Sequence, residues 1–121
     1  MNDYKIRLGQ YGENLAADFL IRRGFKIIDR NYQTTYGELD LIARNGDELL
    51  FVEVKTRTRS DFGYPEFAVN NKKISHLQKA AQIYLRQRGL SVVWQLDIVS
   101  VEIDKQNKTA KIRRFQDIQS N

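Results

Sequence analysis

The sequence predicts an α/β sandwich: one helix, three strands, a second helix and two further strands around a mixed central sheet. Three observations carry this. Apolar residues at helical spacing open the chain, with Leu8, Tyr11, Leu15 and Phe19 alongside Ala16 and Leu20. Two aliphatic segments then flank Asn45-Gly46-Asp47, a turn sequence that joins antiparallel strands. Finally, a second helical stripe of Ile74, Leu77, Ala81 and Tyr84 lies between that hairpin and the apolar run over residues 92–101.

The first helix is expected over residues 5–23, stopped by Gly24. Gly9 and Gly12 interrupt it; either they allow a close backbone approach or the helix begins later. Strands follow over 26–32, 36–44 and 48–56, making an antiparallel meander. Residues 57–65, with Ser60, Asp61, Gly63 and Tyr64, read as a polar loop. Asn70 or Asn71 caps the second helix, and Gly89 ends it. A fourth strand occupies 92–101, a turn 105–108, and a last, edge strand 109–115. One domain over 1–116 with a short tail at 117–121 suits a chain of 121 residues.

The composition removes several function classes. There is no cysteine, so disulfides, thiolate metal sites and cysteine nucleophiles are excluded. The single histidine, His76, argues against histidine-centred metal or hydrolase chemistry, and it is expected on the helix surface. No signal-like or membrane-spanning apolar run is seen, so a cytoplasmic protein without membrane attachment is expected. The formal net charge of +5, from 20 basic against 15 acidic residues, favours a polyanionic partner such as nucleic acid.

Against this basic background stand four charges in the apolar hairpin: Glu38, Asp40, Glu53 and Lys55. Side chains alternate along a strand, so Glu38 and Asp40 share one face, and Glu53 and Lys55 share another. A four-residue loop over 45–48 pairs Arg44 with Leu49. Asp40 then stands opposite Glu53, and Glu38 opposite Lys55. An Asn45-Gly46 turn shifts the pairing by two residues and keeps the face. Facing carboxylates repel, and one pKa rises unless a cation compensates. Lys55 is one candidate cation. Magnesium or manganese is another, held by Asp40 and Glu53, with the Val54 carbonyl as a third ligand. Such a cation would neutralise a scissile phosphate and generate or orient an attacking hydroxide, with Lys55 either lowering the pKa of the water or stabilising the developing charge. The plainer alternative is an inert set of strand charges containing a Glu38–Lys55 salt bridge.

The segments Gly37-Glu38-Leu39-Asp40-Leu41-Ile42-Ala43 and Phe51-Val52-Glu53-Val54-Lys55-Thr56-Arg57 resemble the YraN-like bacterial family. That family belongs to the PD-(D/E)XK, or restriction-endonuclease-like, superfamily and is similar to archaeal Holliday-junction resolvases. The resemblance extends to Gly9, Gly12, Glu13, Ala16 and Ala17, to Asn31-Tyr32, Phe62-Gly63 and Lys72-Lys73, and to Leu96-Asp97-Ile98-Val99. It implies a restriction-endonuclease-like sandwich and a magnesium- or manganese-dependent endonuclease acting on nucleic acid. DNA, including branched DNA, is the expected substrate. Asp40, Glu53 and Lys55 match the superfamily's acid, acid and lysine positions. Glu13 matches a helix acid that approaches the metal, and is otherwise an ordinary solvated glutamate. Glu38 is expected as a supporting partner that positions Lys55. Resolvase-like relatives act as dimers, which implies a homodimer as one arrangement. Gln95 departs from the Arg common in similar sequences, removing a phosphate-binding charge. Asp97 is either structural or faces the site from behind.

Arg57 and Arg59 are candidate phosphate contacts, Tyr36 and Tyr64 candidate base-stacking residues, and Lys72 a further nucleic-acid contact. Lys73 and Lys79 read as a solvated helix face, and Arg113 and Arg114 as edge-strand protection or tail charge. The competing readings are a non-catalytic nucleic-acid-binding module of the same fold and an interaction domain whose charges form a salt-bridge network.

Overall fold

The computed structural model describes residues 3–58 and 70–120. Its elements are α1 (Asp3–Ile21), β1 (Lys26–Thr34), β2 (Gly37–Asn45), β3 (Glu48–Thr58), α2 (Asn71–Gln87), β4 (Trp94–Asp104) and β5 (Thr109–Phe115). The five strands form one sheet in sequential order. Pairing is antiparallel except between β3 and β4, which run parallel because α2 carries the chain across between them. This is the mixed α/β sandwich that the apolar spacing predicts, with β1 and β5 at the edges. No described helix is long and apolar enough to cross a membrane.

Among the described residues, each face of the sheet carries one helix. Ala16, Ala17 and Leu20 of α1 pack with Leu41, Ala43, Leu50, Val52, Val99 and Val101. Ile74, Leu77, Ala81 and Tyr84 of α2 pack with Leu39, Ile42, Phe51, Leu96 and Ile98 on the opposite face. The alternation of Leu50 and Val52 against Phe51 is the period-two signature of a strand buried on both sides. Burying each Leu, Ile, Val or Phe side chain among them contributes about 1.5–3 kcal/mol.

Three sequence expectations need correction. First, α1 begins two residues earlier than expected and runs through both glycines. A glycine in a helix interior costs about 1 kcal/mol relative to alanine. At Gly12 the reason is steric: a Cβ there would fall 1.8 Å from Thr56 Oγ1. Second, Tyr11 lies outside the apolar stripe and is 54% exposed, because Gly12 rather than Tyr11 faces β3. Third, Arg114 is not a loose edge charge. Its Nε donates to the fully buried Asp97 at 2.6 Å. Asp97 also accepts from Gln95 Nε2 at 2.8 Å and from the Asp117 N–H at 2.9 Å. Asp97 is therefore structural and ties β4 to β5 and to the residues that follow. Within the segment read as a tail, the Ile118 N–H donates to the Leu96 carbonyl at 2.7 Å, and its side chain packs on the α2-side core.

The hairpin follows the expected register, with Arg44 opposite Leu49. Asn45 also pairs with Glu48, so the connection is the two residues Gly46-Asp47, and Gly46 supplies the positive φ of 62°. The regular β2–β3 ladder ends at Leu41–Val52. At that point Leu39 belongs to the α2-side core while Leu41 belongs to the α1-side core. Two residues apart on one strand should share a face, so alternation is broken around Asp40. In β1, next to it, Asn31 adopts a positive φ of 51°, a conformation that Asn tolerates better than most residues.

Candidate functional site

The site is built where this irregularity parts β2 from β3. Extending the ladder's register sets Asp40 opposite Glu53. The Val54 N–H, which a flat ladder would give to a backbone carbonyl, instead donates to Asp40 Oδ2 at 2.8 Å. Glu53 is 5% exposed and lies against Asp40, so two carboxyl groups share a dry corner. Burial is the main cause that pushes the Asp40 carboxyl up, to about 9. A shared hydrogen bond with Glu53 and the charges of Glu53 and Glu13 push the same way; the Val54 N–H opposes them.

Glu13 projects from α1 to the same place. Carboxylate oxygens of Glu13, Glu38 and Asp40 all lie within 4.8 Å of one another. Asn31 holds two of them: its Nδ2 donates to Glu38 Oε1 at 2.6 Å and to Glu13 Oε1 at 3.1 Å. Gln33 Nε2 also donates to Glu38. Desolvation raises the Glu13 pKa above its ordinary value, with Asn31 opposing and the Glu38 charge reinforcing.

The basic side is arranged differently from the sequence expectation. Glu38 does not meet Lys55. Its partners are Asn31 and Gln33, and Lys55 Nζ lies 3.8 Å from Glu53 Oε2. The break in alternation explains the change, since it turns Glu38 towards Glu13 rather than across to β3. A second ammonium, Lys73 on the first turn of α2, lies 3.6 Å from the same Glu53 oxygen. Asn70 caps this helix by accepting from the Lys73 N–H, which fixes the start of α2 beside the site. Lys72, the expected contact, is exposed one position away.

Of the remaining candidates, Arg57 is half-buried in β3, and its Nε is buried with no hydrogen-bond partner among the described residues. Tyr36 lies in the β1–β2 turn with its ring 5.9 Å from that of His76, and Lys79 Nζ sits 5.2 Å from its centroid. His76 is thus half-buried under an aromatic ring rather than free on the surface. Arg59 and Tyr64 lie outside the described residues.

The donor set consists of hard carboxylate oxygens, which suits magnesium or manganese rather than a softer metal. An Asp40 carboxyl that prefers to stay protonated also marks a place short of positive charge. Both properties fit a divalent cation. Sequence reasoning undervalued Asn31 and Lys73. The signal for Asn31 was its residue type, one of the few that accept a left-handed backbone within a strand. Lys73 required knowing how α2 docks.

Comparison with known proteins gives a consistent placement. A model of "Uncharacterised protein family UPF0102" matches residues 12–101. A UPF0102 protein from Syntrophomonas wolfei is 53% identical over 79 residues, covering 65% of this chain and 69% of its own. One from Caldicellulosiruptor bescii is 40% identical over 113 residues, covering 92% and 95%. One from Dictyoglomus turgidum is 46% identical over 90 residues, covering 74% and 75%.

Proposed function

The chain belongs to the uncharacterised protein family UPF0102, and from the site it carries we propose that it is a magnesium- or manganese-dependent endonuclease of the PD-(D/E)XK type. It would hydrolyse phosphodiester bonds in nucleic acid, DNA including branched DNA. The observation that carries this reading is the convergence of Glu13, Glu38 and Asp40 within 4.8 Å, with Glu53 against Asp40. Carboxyl groups gathered in a half-buried site need compensation, by a proton on Asp40 or by a cation that displaces it.

Asp40, Glu13 and Glu38 would hold the cation, with Glu53 and the Val54 carbonyl completing the set. When bound, such a cation neutralises the phosphodiester and favours attack by water. Lys55, beside Glu53, stabilises charge growing on the phosphate. Lys73 steadies Glu53 from the other side. Arg57 and Tyr36 supply further backbone and base contacts. The action would be cytoplasmic, and the resolvase resemblance favours a homodimer.

One observation favours a second reading, a nucleic-acid-binding module without cleavage. Glu53 already has two ammonium partners, so one carboxylate is compensated without metal. Incubating wild type and Asp40→Asn with branched, single-stranded and duplex DNA, with and without magnesium or manganese, separates the readings. Metal-dependent cleavage by wild type that Asp40→Asn loses is expected. Binding without cleavage of any substrate supports the module. No binding at low salt, where basic contacts are strongest, contradicts both.

A further inference from the structure

Gly9 stands in the interior of α1 and, among the described residues, has nothing within 4 Å of the position its Cβ would take. A glycine there weakens the helix, and no packing among the described residues requires it. Gly12, three residues on, is the contrasting case, because Thr56 fills the space its side chain would need. The bare backbone at Gly9 instead forms part of the wall of a groove of about 580 Å³ between α1 and β3, lined also by Tyr4, Lys5, Glu13, Lys55 and Thr56. This volume lies within the roughly 300–1,000 Å³ of small-ligand sites.

Lys5, Gly9 and Glu13 are spaced four residues apart, so they lie along one face of α1. That face presents, in order, an ammonium, an open stretch of backbone and a carboxylate of the candidate metal site. Lys55 lines the same groove from β3. Two cations beside a place of close backbone approach suit an anionic chain that runs towards the carboxylates.

We propose that Gly9 is a substrate-positioning residue. The sugar–phosphate backbone adjoining the bond to be cut lies against α1 at Gly9, flanked by Lys5 and Lys55. The proposal rests on the nuclease reading of the carboxylate site. It assigns the groove to the strand's backbone and so to contacts that do not depend on base sequence.

The test combines thermal unfolding without DNA and fluorescence anisotropy with labelled single-stranded and duplex DNA at low salt, for wild type, Gly9→Ala, Gly9→Leu and Gly12→Ala. Gly9→Ala is expected to unfold at a higher temperature than wild type yet to bind DNA less tightly. Gly9→Leu should remain folded and bind about tenfold more weakly. Gly12→Ala should unfold at a lower temperature. Wild-type affinity in a folded Gly9→Leu overturns the proposal and leaves the nuclease reading standing. A loss of stability in Gly9→Ala as large as that in Gly12→Ala also overturns it, since Gly9 would then serve packing. If wild type binds neither DNA, both fall together.

Discussion

Asp40 is the residue on which the site turns. It takes a backbone N–H from Val54, lies against Glu53 and belongs to the carboxylate group with Glu13 and Glu38. Its carboxyl is raised from 3.8 to about 9, chiefly by burial. A folded-state pKa above the unfolded value means that folding takes up a proton between those two pH values. The stabilisation is therefore complete below about 4 and is lost as pH rises towards 9. In chelator, the metal-free protein should lose stability to urea as pH rises from 5 to 9, and Asp40→Asn should show a flatter profile. Equal slopes for the two proteins would contradict this. Glu13 is raised as well, so the variant's slope should shrink without disappearing. At this scale the sequence was readable where strand parity alone decides, as for Asp40 opposite Glu53. It was not readable where the backbone leaves the regular strand. The positive φ of Asn31 and the face change between Leu39 and Leu41 send Glu38 to Glu13 instead of Lys55.

The elements followed from local patterns. The Ile74, Leu77, Ala81 and Tyr84 stripe is buried as expected, and β5 spans the 109–115 segment that the turn before it predicts. Asn70 is the cap of α2. What escaped were partners brought together by sheet order. Arg114 reads as a protecting charge on an edge strand, but antiparallel pairing of β5 with β4 brings it to Asp97. Asp97 is fully buried and the Arg114 side chain is 17% exposed, so removing one partner leaves a charge in a dry setting. Asp97→Ala should cost about 3 kcal/mol or more in urea denaturation. It should do so without changing divalent-cation affinity, because Asp97 is engaged with Gln95, Arg114 and Asp117 rather than with the carboxylate group. A loss under about 1 kcal/mol, the range of exposed pairs, would show that Asp97 does not tie β4 to β5 as described.

In the whole molecule, the site depends on both layers of the sandwich. β2 and β3 supply Asp40, Glu53 and Lys55 where their ladder ends. α1 brings Glu13 from one side, and α2 brings Lys73 from the other. The tight fit of Gly12 against Thr56 sets how closely α1 lies on β3, and so how near Glu13 comes to Asp40. The sequence predicted the layers and the central pair, since these follow from periodicity and hairpin register. Glu13 was reached only through the family resemblance, and Lys73 was read as a solvated helix face, because docking distance is decided by contacts between segments far apart in the chain. The basic excess of the chain coexists with this acidic centre, and the proposed grip on a polyanion through a cation needs both. The most direct test is a titration with manganese, followed by calorimetry or by the electron paramagnetic resonance of the free ion, for wild type and Asp40→Asn across pH 6 to 8.5. Wild type should bind the ion, more tightly as pH rises because the ion displaces the Asp40 proton, and Asp40→Asn should lose that binding. Absence of binding by wild type throughout this range, or unchanged binding by Asp40→Asn, would contradict a cation site at these carboxylates.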